Sequence, residues 1–131
     1  EHHSHFVSAL IKKINEAKDT IEIWGTGKPL RQFMHAEDLA RVIKYMIDND
    51  IVDNFNVAPE YVYSIEEITK IGMESCGKGD LEIVYDNTKP DGQYRKDVDS
   101  SKLLSIMDDF KFTTLKEGIG KVYDNFCERY N

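Results

Sequence analysis

TIEIWGTGKPLRQFMHAEDLARVIKYMID, from Thr20 to Asp48, changes its period part-way along, and that change decides the fold class. Thr20 to Gly25 alternates apolar with polar residues and is rich in β-formers, which predicts a short strand. Gly25 to Leu30 carries two glycines and a proline, so it turns the chain, and Arg31 to Met34 runs extended behind it. From Ala36 to Asp48 the apolar residues Leu39, Val42, Ile43, Met46 and Ile47 recur at helical spacing. Gly25 and Gly27 make a GxG, but a dinucleotide fingerprint needs a third glycine opening a helix whose amino end holds the pyrophosphate. Lys28 and Pro29 stand there instead, followed by extended chain. The glycines therefore read as turn formers, which their tolerance of positive φ explains.

The same alternation of element types continues on both sides. Upstream, Phe6, Val7, Leu10, Ile11, Ile14 and Ala17 predict a helix from about Ser4 to Lys18. Downstream, Asn54 to Val57 predicts a short buried strand, and Ser64 with Glu67 forms a capping box for a helix that runs to about Cys76 and ends at Gly77. Leu81 to Tyr85 predicts another strand, and Asn87 to Lys96 a polar, turn-rich loop. Ser100 or Ser101 is placed to cap a short helix carrying Leu103, Leu104 and Met107. A second capping box, Thr114 with Glu117, opens a last helix with Leu115, Ile119, Val122 and Phe126 on one face. The expected architecture is a small α/β or α+β unit over residues 1–131, with four or five helices and strands too few and too short for a complete dinucleotide-binding (Rossmann) sheet.

Composition narrows the function. The 131 residues fit one domain, and a hydrophobic content of 40% supports a modest core. Twenty-four acidic against 17 basic residues give a formal charge of -7, a field that repels polyanions, so nucleic acid is not an expected partner. No apolar run approaches the roughly 20 residues that span a bilayer, and EHHSHFVSAL has no long apolar stretch, so a soluble, cytoplasmic protein is expected. Cys76 and Cys127 lie far apart with no CxxC, which reads as reduced structural thiols.

Several residues bear on chemistry. Tyr85 and Lys89 have the YxxxK spacing of a catalytic tyrosine–lysine pair, but Pro90 pushes Lys89 out of the α region and Tyr85 ends a β-type run, so the two do not share a helix face. His2, His3 and His5 cluster at the start, yet no fourth ligand or ordering partner accompanies them, and no metal is expected. His5 falls at the first turn of a helix with Lys13 two turns along on a similar side. Lys13, Arg31 and Lys96 are cations near the ends of separate elements, where solvated surface charge is the plain reading. Arg31 differs, because it follows a tight turn directly and its planar fork suits a phosphate. Trp24, the lone tryptophan, either fills a core or presents its ring to a base or sugar.

WGTGKPLRQFMHAEDLARV, from Trp24 to Val42, resembles the substrate-domain stretch of extended short-chain dehydrogenases acting on nucleotide sugars. KPDGQYRK (Lys89 to Lys96), with Asp99 in RKDVDSSKL, and SHFVSALIKKI (Ser4 to Ile14) resemble more narrowly the GDP-L-fucose synthases. The resemblance covers essentially the whole chain and marks it as the carboxy-terminal part of such an enzyme. It implies an NADP(H)-dependent conversion of GDP-4-keto-6-deoxymannose to GDP-L-fucose by epimerisation at carbons 3 and 5 and reduction at carbon 4. The cofactor would be bound mainly by an amino-terminal region absent here, the complete enzyme would be a homodimer, and the fragment alone would be inactive. By resemblance, His5 lies near the nicotinamide and the sugar as the epimerisation acid. Lys13, Trp24 and Arg31 contact the GDP-sugar, with Arg31 on the diphosphate, and Asp91 and Lys96 fall on a loop closing over the nucleotide. Tyr94 departs from the family's common proline, which bears on the loop's shape. Another nucleotide-sugar epimerase or dehydratase, or a non-catalytic nucleotide-binding module, is the alternative.

Overall fold

The computed structural model describes residues 5–130. Along the chain run α1 (Phe6–Glu16), β1 (Thr20–Trp24), β2 (Leu30–Arg31), α2 (Ala36–Asp48), β3 (Tyr63–Ser64), α3 (Ile65–Ser75), β4 (Glu82–Asp86), β5 (Arg95–Lys96), α4 (Ser101–Leu104) and α5 (Leu115–Tyr130). β1 and β4 pair in parallel, from Thr20 opposite Glu82 to Trp24 opposite Asp86. A second sheet has the order β3-β2-β5, with β2 antiparallel to β3 and parallel to β5. The fold is α/β with two small open sheets, neither of them a Rossmann sheet, as the sequence predicts.

Strand alternation sets the inside of the first sheet: Ile21 and Ile23 are buried while Thr20, Glu22 and Trp24 face out. Ile21 packs with Leu10, Ile11 and Ile14 of α1, Ile68 and Met73 of α3, and Ile119 of α5 in the main core. Both predicted capping boxes form. Ser64 Oγ accepts from the Glu67 N–H while Glu67 reaches back to the Ser64 N–H, and Thr114 with Glu117 does the same. Gly77, at φ +68°, closes α3: the Lys78 N–H reaches the Met73 carbonyl and the Gly77 N–H that of Glu74, a Schellman arrangement. Lys78 then covers the end of α1, its ammonium donating to the carbonyls of Ile14, Asn15 and Ala17 at 2.9, 2.7 and 2.9 Å.

Several local expectations give way, and one falls outside the described residues. The start of the first helix at Ser4 lies outside the described residues, which enter α1 at Phe6. Asn54 to Val57 is no strand: its polar groups are met singly, Asn56 Nδ2 by the Asp99 carbonyl and the Asn54 carbonyl by Lys102 Nζ, while Phe55 and Val57 pack against Val42, Leu103 and Met107. Beyond Arg31 the ladder stops because the Gln32 amide takes its place, donating to the Pro59 carbonyl at 2.7 Å and accepting from the Val98 N–H at 2.9 Å. Ser100 stands at the N-cap of α4 but its hydroxyl accepts from the Ala58 N–H, and α4 ends before Met107. On α2, Leu39, Ile43 and Ile47 are exposed, and the inward face is instead Asp38, Val42, Tyr45 and Met46. On α5, Val122 is likewise exposed and Tyr123 packs on the core in its place.

Candidate functional site

The turn that leaves β1 stands beside a hollow that two of its flanking residues line. The Gly25 N–H donates to the Asp86 carbonyl, Gly25 and Gly27 take φ of +74° and +73°, and the Gly27 and Pro29 carbonyls accept from the first N–H groups of α3, Glu66 and Ile65. A Cβ on Gly27 would stand 2.8 Å from Tyr85 Cε1, so glycine is required there twice over, by conformation and by space. The turn is thereby wedged between α3 and β4, and it delivers Trp24 and Arg31 to one cavity of about 480 Å³.

Lys13, Trp24, Arg31 and Asp91, four of the residues singled out from sequence, line that cavity together with Phe33 and Pro90. Trp24 is 61% exposed, which settles its alternatives: it fills no core and offers its ring to solvent. Lys13 Nζ lies 5.8 Å from the ring centroid on one approach and Lys89 Nζ 5.6 Å on another. Phe6 stacks on Phe33 at 5.8 Å beneath. Arg31 is half-buried in the middle strand of its sheet, and one of its N–H groups donates to the Leu30 carbonyl at 2.7 Å. Lys13 donates to the Glu22 carbonyl at 2.9 Å.

None of the cations at this cavity belongs to an ion pair among the described residues. Lys12, Arg41, Lys44, Lys70, Arg95, Lys102, Lys116 and Lys121 each have a carboxylate within ion-pair distance. Among the described residues Lys13, Arg31, Lys89 and Lys96 have none, and neither do Lys18, Lys28, Lys78, Lys111 and Arg129, although the chain carries seven more acidic than basic residues; what sets Lys13, Arg31 and Lys89 apart is their place around Trp24. Unpaired cations gathered in an acidic protein beside an exposed indole form a place for an anion with a flat, apolar part.

The structure does not bring every candidate into that cavity. Lys96 pairs with Arg31 in register but lines a neighbouring hollow of about 470 Å³ with Gln32, Pro59 and Gln93, and Phe33 borders both. His5 is exposed at the N-cap of α1, next to Phe6 at the cavity wall. Tyr85 and Lys89 do not form a catalytic pair: Tyr85 lies in β4 against Gly27, where burial and its bond to Glu66 push its hydroxyl pKa up, while Lys89 follows the strand in a turn. Burial pushes the Cys76 thiol up to about 11, which makes it unreactive at neutral pH. Among the described residues no three His, Cys, Asp or Glu side chains gather to hold a metal, and no helix is long and apolar enough to cross a membrane; His2 and His3 lie outside them. The described residues do not fit a dinucleotide cradle, since the GxG turn runs into β2 and not into a helix.

Residues 1–58 match the family described as the NAD dependent epimerase/dehydratase family. The chain is 40% identical to a GDP-L-colitose synthase of Yersinia pseudotuberculosis, over all of itself and 44% of that protein. It is 36% identical to GDP-L-fucose synthase 1 of Arabidopsis thaliana, over 96% of itself and 41% of that protein. It superposes on the crystal structure of a GDP-L-fucose synthetase from Naegleria fowleri bound to NADP with a TM-score of 0.86 at 25% identity, covering 97% of this chain and 41% of the other. The chain belongs to the extended short-chain dehydrogenase/reductase family, in its GDP-L-fucose-synthase-like branch. It spans about two fifths of the length of the curated relatives it matches. Membership in this family puts the cavity at Trp24 and Arg31 in a chain whose relatives take their names from GDP-sugars. Thr26, Phe33 and Lys89 lie at or beside the same place; in the sequence they fall within the WGTGKPLRQF and KPDG segments, but none of them is singled out there for binding.

Proposed function

We propose that these residues are the carboxy-terminal, substrate-binding region of a larger NADPH-dependent enzyme that makes GDP-L-fucose from GDP-4-keto-6-deoxymannose by 3,5-epimerisation and 4-reduction. The observation that carries the proposal is the pair of unpaired cations, Lys13 and Arg31, at a cavity edged by the exposed Trp24. A nucleotide diphosphate is a flat base joined to an anion, and charge-assisted contacts from an arginine fork are roughly twice as strong as neutral ones. In this reading Arg31 and Lys13 take the diphosphate, Trp24 lies against the base or sugar, and Lys96 and Asp91 border the nucleotide from the loop side. His5 donates the proton in epimerisation, a step beside a ketone for which an imidazole is suited as general acid. NADP(H) is held by the rest of the enzyme, which works as a cytoplasmic homodimer, and the 131 residues alone do not turn over.

The GDP-L-colitose synthase relative, at 40% identity, favours a second reading in which the same nucleotide carries a different sugar. Calorimetric titration of the chain with GDP, UDP and dTDP tests the nucleotide. Clear preference for GDP is expected, and equal or absent binding of all three would remove the proposal's basis. NADPH oxidation by the complete protein, offered GDP-4-keto-6-deoxymannose and other GDP-keto sugars in turn, separates the two sugars.

A further inference from the structure

Asp91 is exposed, yet both of its carboxylate oxygens are committed to one distant residue. The Thr26 N–H donates to Oδ1 at 2.6 Å and the Thr26 hydroxyl to Oδ2 at 2.8 Å, across 65 positions of sequence. The carboxylate enters so closely over the turn that a Cβ on Gly25 would fall 2.2 Å from Oδ1. Every residue from 87 to 96 is exposed, so little burial holds this loop in place. Its ends are tied: the Lys89 N–H donates to the Asp86 carbonyl, and the Tyr94 carbonyl accepts from the Leu30 N–H. Between those ties the bonds to Thr26 seat the tip, two residues after Lys89, with Pro90 and Asp91 on the cavity wall and Lys89 Nζ 5.6 Å from the Trp24 ring.

A carboxylate with free oxygens at this wall would oppose an anionic ligand. One whose oxygens are occupied by Thr26 serves instead to fix the backbone. We propose that Asp91 is a positioning residue: by clamping Thr26 it seats the 87–96 loop on the Gly25–Pro29 turn and holds Lys89 over Trp24, which presents Lys89 as a further cation to the anionic part of the ligand. The Thr26 backbone bond, and then its hydroxyl, hold the Asp91 carboxyl below the usual aspartate range, so the clamp is ionised and intact at neutral pH. The clamp stands on geometry alone, whereas the part Lys89 plays in binding rests on the nucleotide reading above.

Trp24 is the chain's only tryptophan, so its fluorescence reports on the clamp without any ligand. Iodide and caesium quench an exposed indole according to the charge around it, and the ratio of their quenching constants measures that charge. Thr26→Val removes the hydroxyl bond without changing charge, and it is expected to lower the iodide-to-caesium ratio as Lys89→Met does; Thr26→Ser restores it. Asp91→Ala deletes a negative charge, which by itself raises the ratio, so a fall in that variant is especially telling. In GDP titrations Thr26→Val and Lys89→Met are each expected to weaken affinity by about fivefold, the scale of one exposed charge contact. The double variant should be no weaker than either single one, because the two changes remove the same interaction. An unchanged quenching ratio in Thr26→Val and Asp91→Ala would overturn the clamp. Loss of GDP affinity in Asp91→Ala alone, with Thr26→Val and Lys89→Met unaffected, would overturn it too and make Asp91 a direct contact. A shifted ratio in a chain that binds no GDP would sustain the clamp and sink the nucleotide reading, so the two failures are told apart.

Discussion

Replacing Arg31 tests the site where the structure commits itself most. Arg31 is held on both sides, opposite Tyr63 of β3 and Lys96 of β5, and the GTGKP turn before it is pinned to α3. Of the five N–H donors of a guanidinium, one is bound to the Leu30 carbonyl, and no carboxylate among the described residues competes for the others. Losing a desolvated charge-assisted contact costs about 2–5 kcal/mol. Arg31 is half-buried, so the lower end applies: about 2 kcal/mol for Arg31→Ala, a roughly thirtyfold rise in the Kd for GDP. Arg31→Lys keeps the charge and loses the fork, and about 1 kcal/mol, or fivefold, is expected. The assay is calorimetry with GDP and, in parallel, with guanosine, which lacks the diphosphate. Guanosine affinity should be equal in all three proteins. Unchanged GDP affinity in a folded Arg31→Ala chain would refute the reasoning, and an equal loss for guanosine would place Arg31 on the base or in the fold.

Three further outcomes are expected. Asp38 is fully buried and accepts from the Thr113 N–H and hydroxyl, both at 2.8 Å, and from Arg41, so Asp38→Ala should lower unfolding free energy by about 3 kcal/mol in urea titrations. Burial by itself would raise the Asp38 pKa, but its bonds to Arg41 and Thr113 outweigh that and depress it. The stabilisation is therefore complete above the ordinary aspartate value of about 3.9 and fades as pH falls through the lower native value, a loss that urea midpoints at pH 7 and pH 3 would reveal and that Asp38→Asn would flatten. Gly27→Ala forces a side chain into φ +73° and against Tyr85, and a loss of about 2 kcal/mol is expected by thermal unfolding; a wild-type Tm would contradict the wedged turn. In the complete enzyme His5→Asn should slow solvent-deuterium incorporation at carbons 3 and 5 by about 10²–10⁴-fold with GDP affinity retained, and normal exchange would leave His5 a surface residue.

The parts of this fold that could be read from sequence are those decided by neighbours a few residues apart. β1 announces itself by alternation, and the two capping boxes by a hydroxyl and a carboxylate three positions on. What stayed hidden depends on partners far along the chain. Strands of two residues, such as β2, β3 and β5, are too short to carry a period, and the Gln32 amide that replaces the ladder looks like any polar residue. Asn54 to Val57 has strand composition but no strand beside it among the described residues, and β-propensity measures the neighbours as much as the residue.

For the site the same division falls between adjacent lysines. Lys12 and Lys13 are chemically identical on paper. Lys12 faces Glu16 at 3.9 Å, one turn along α1, whereas Lys13 turns toward the Glu22 carbonyl and the Trp24 ring. A helix turns about 100° per residue, so one lysine joins the solvated face and the next joins the cavity. Composition shows an acidic chain in which a cation should find a carboxylate easily. Only the packed structure gathers Lys13, Arg31 and Lys89, none of them with a carboxylate partner among the described residues, around the exposed Trp24. That reasoning also explains why Arg31 could be singled out early and Lys89 could not. The turn before Arg31 is written in consecutive residues, while Lys89 comes to Trp24, 65 positions away, through the pairing of β1 with β4 and the turn that follows Asp86.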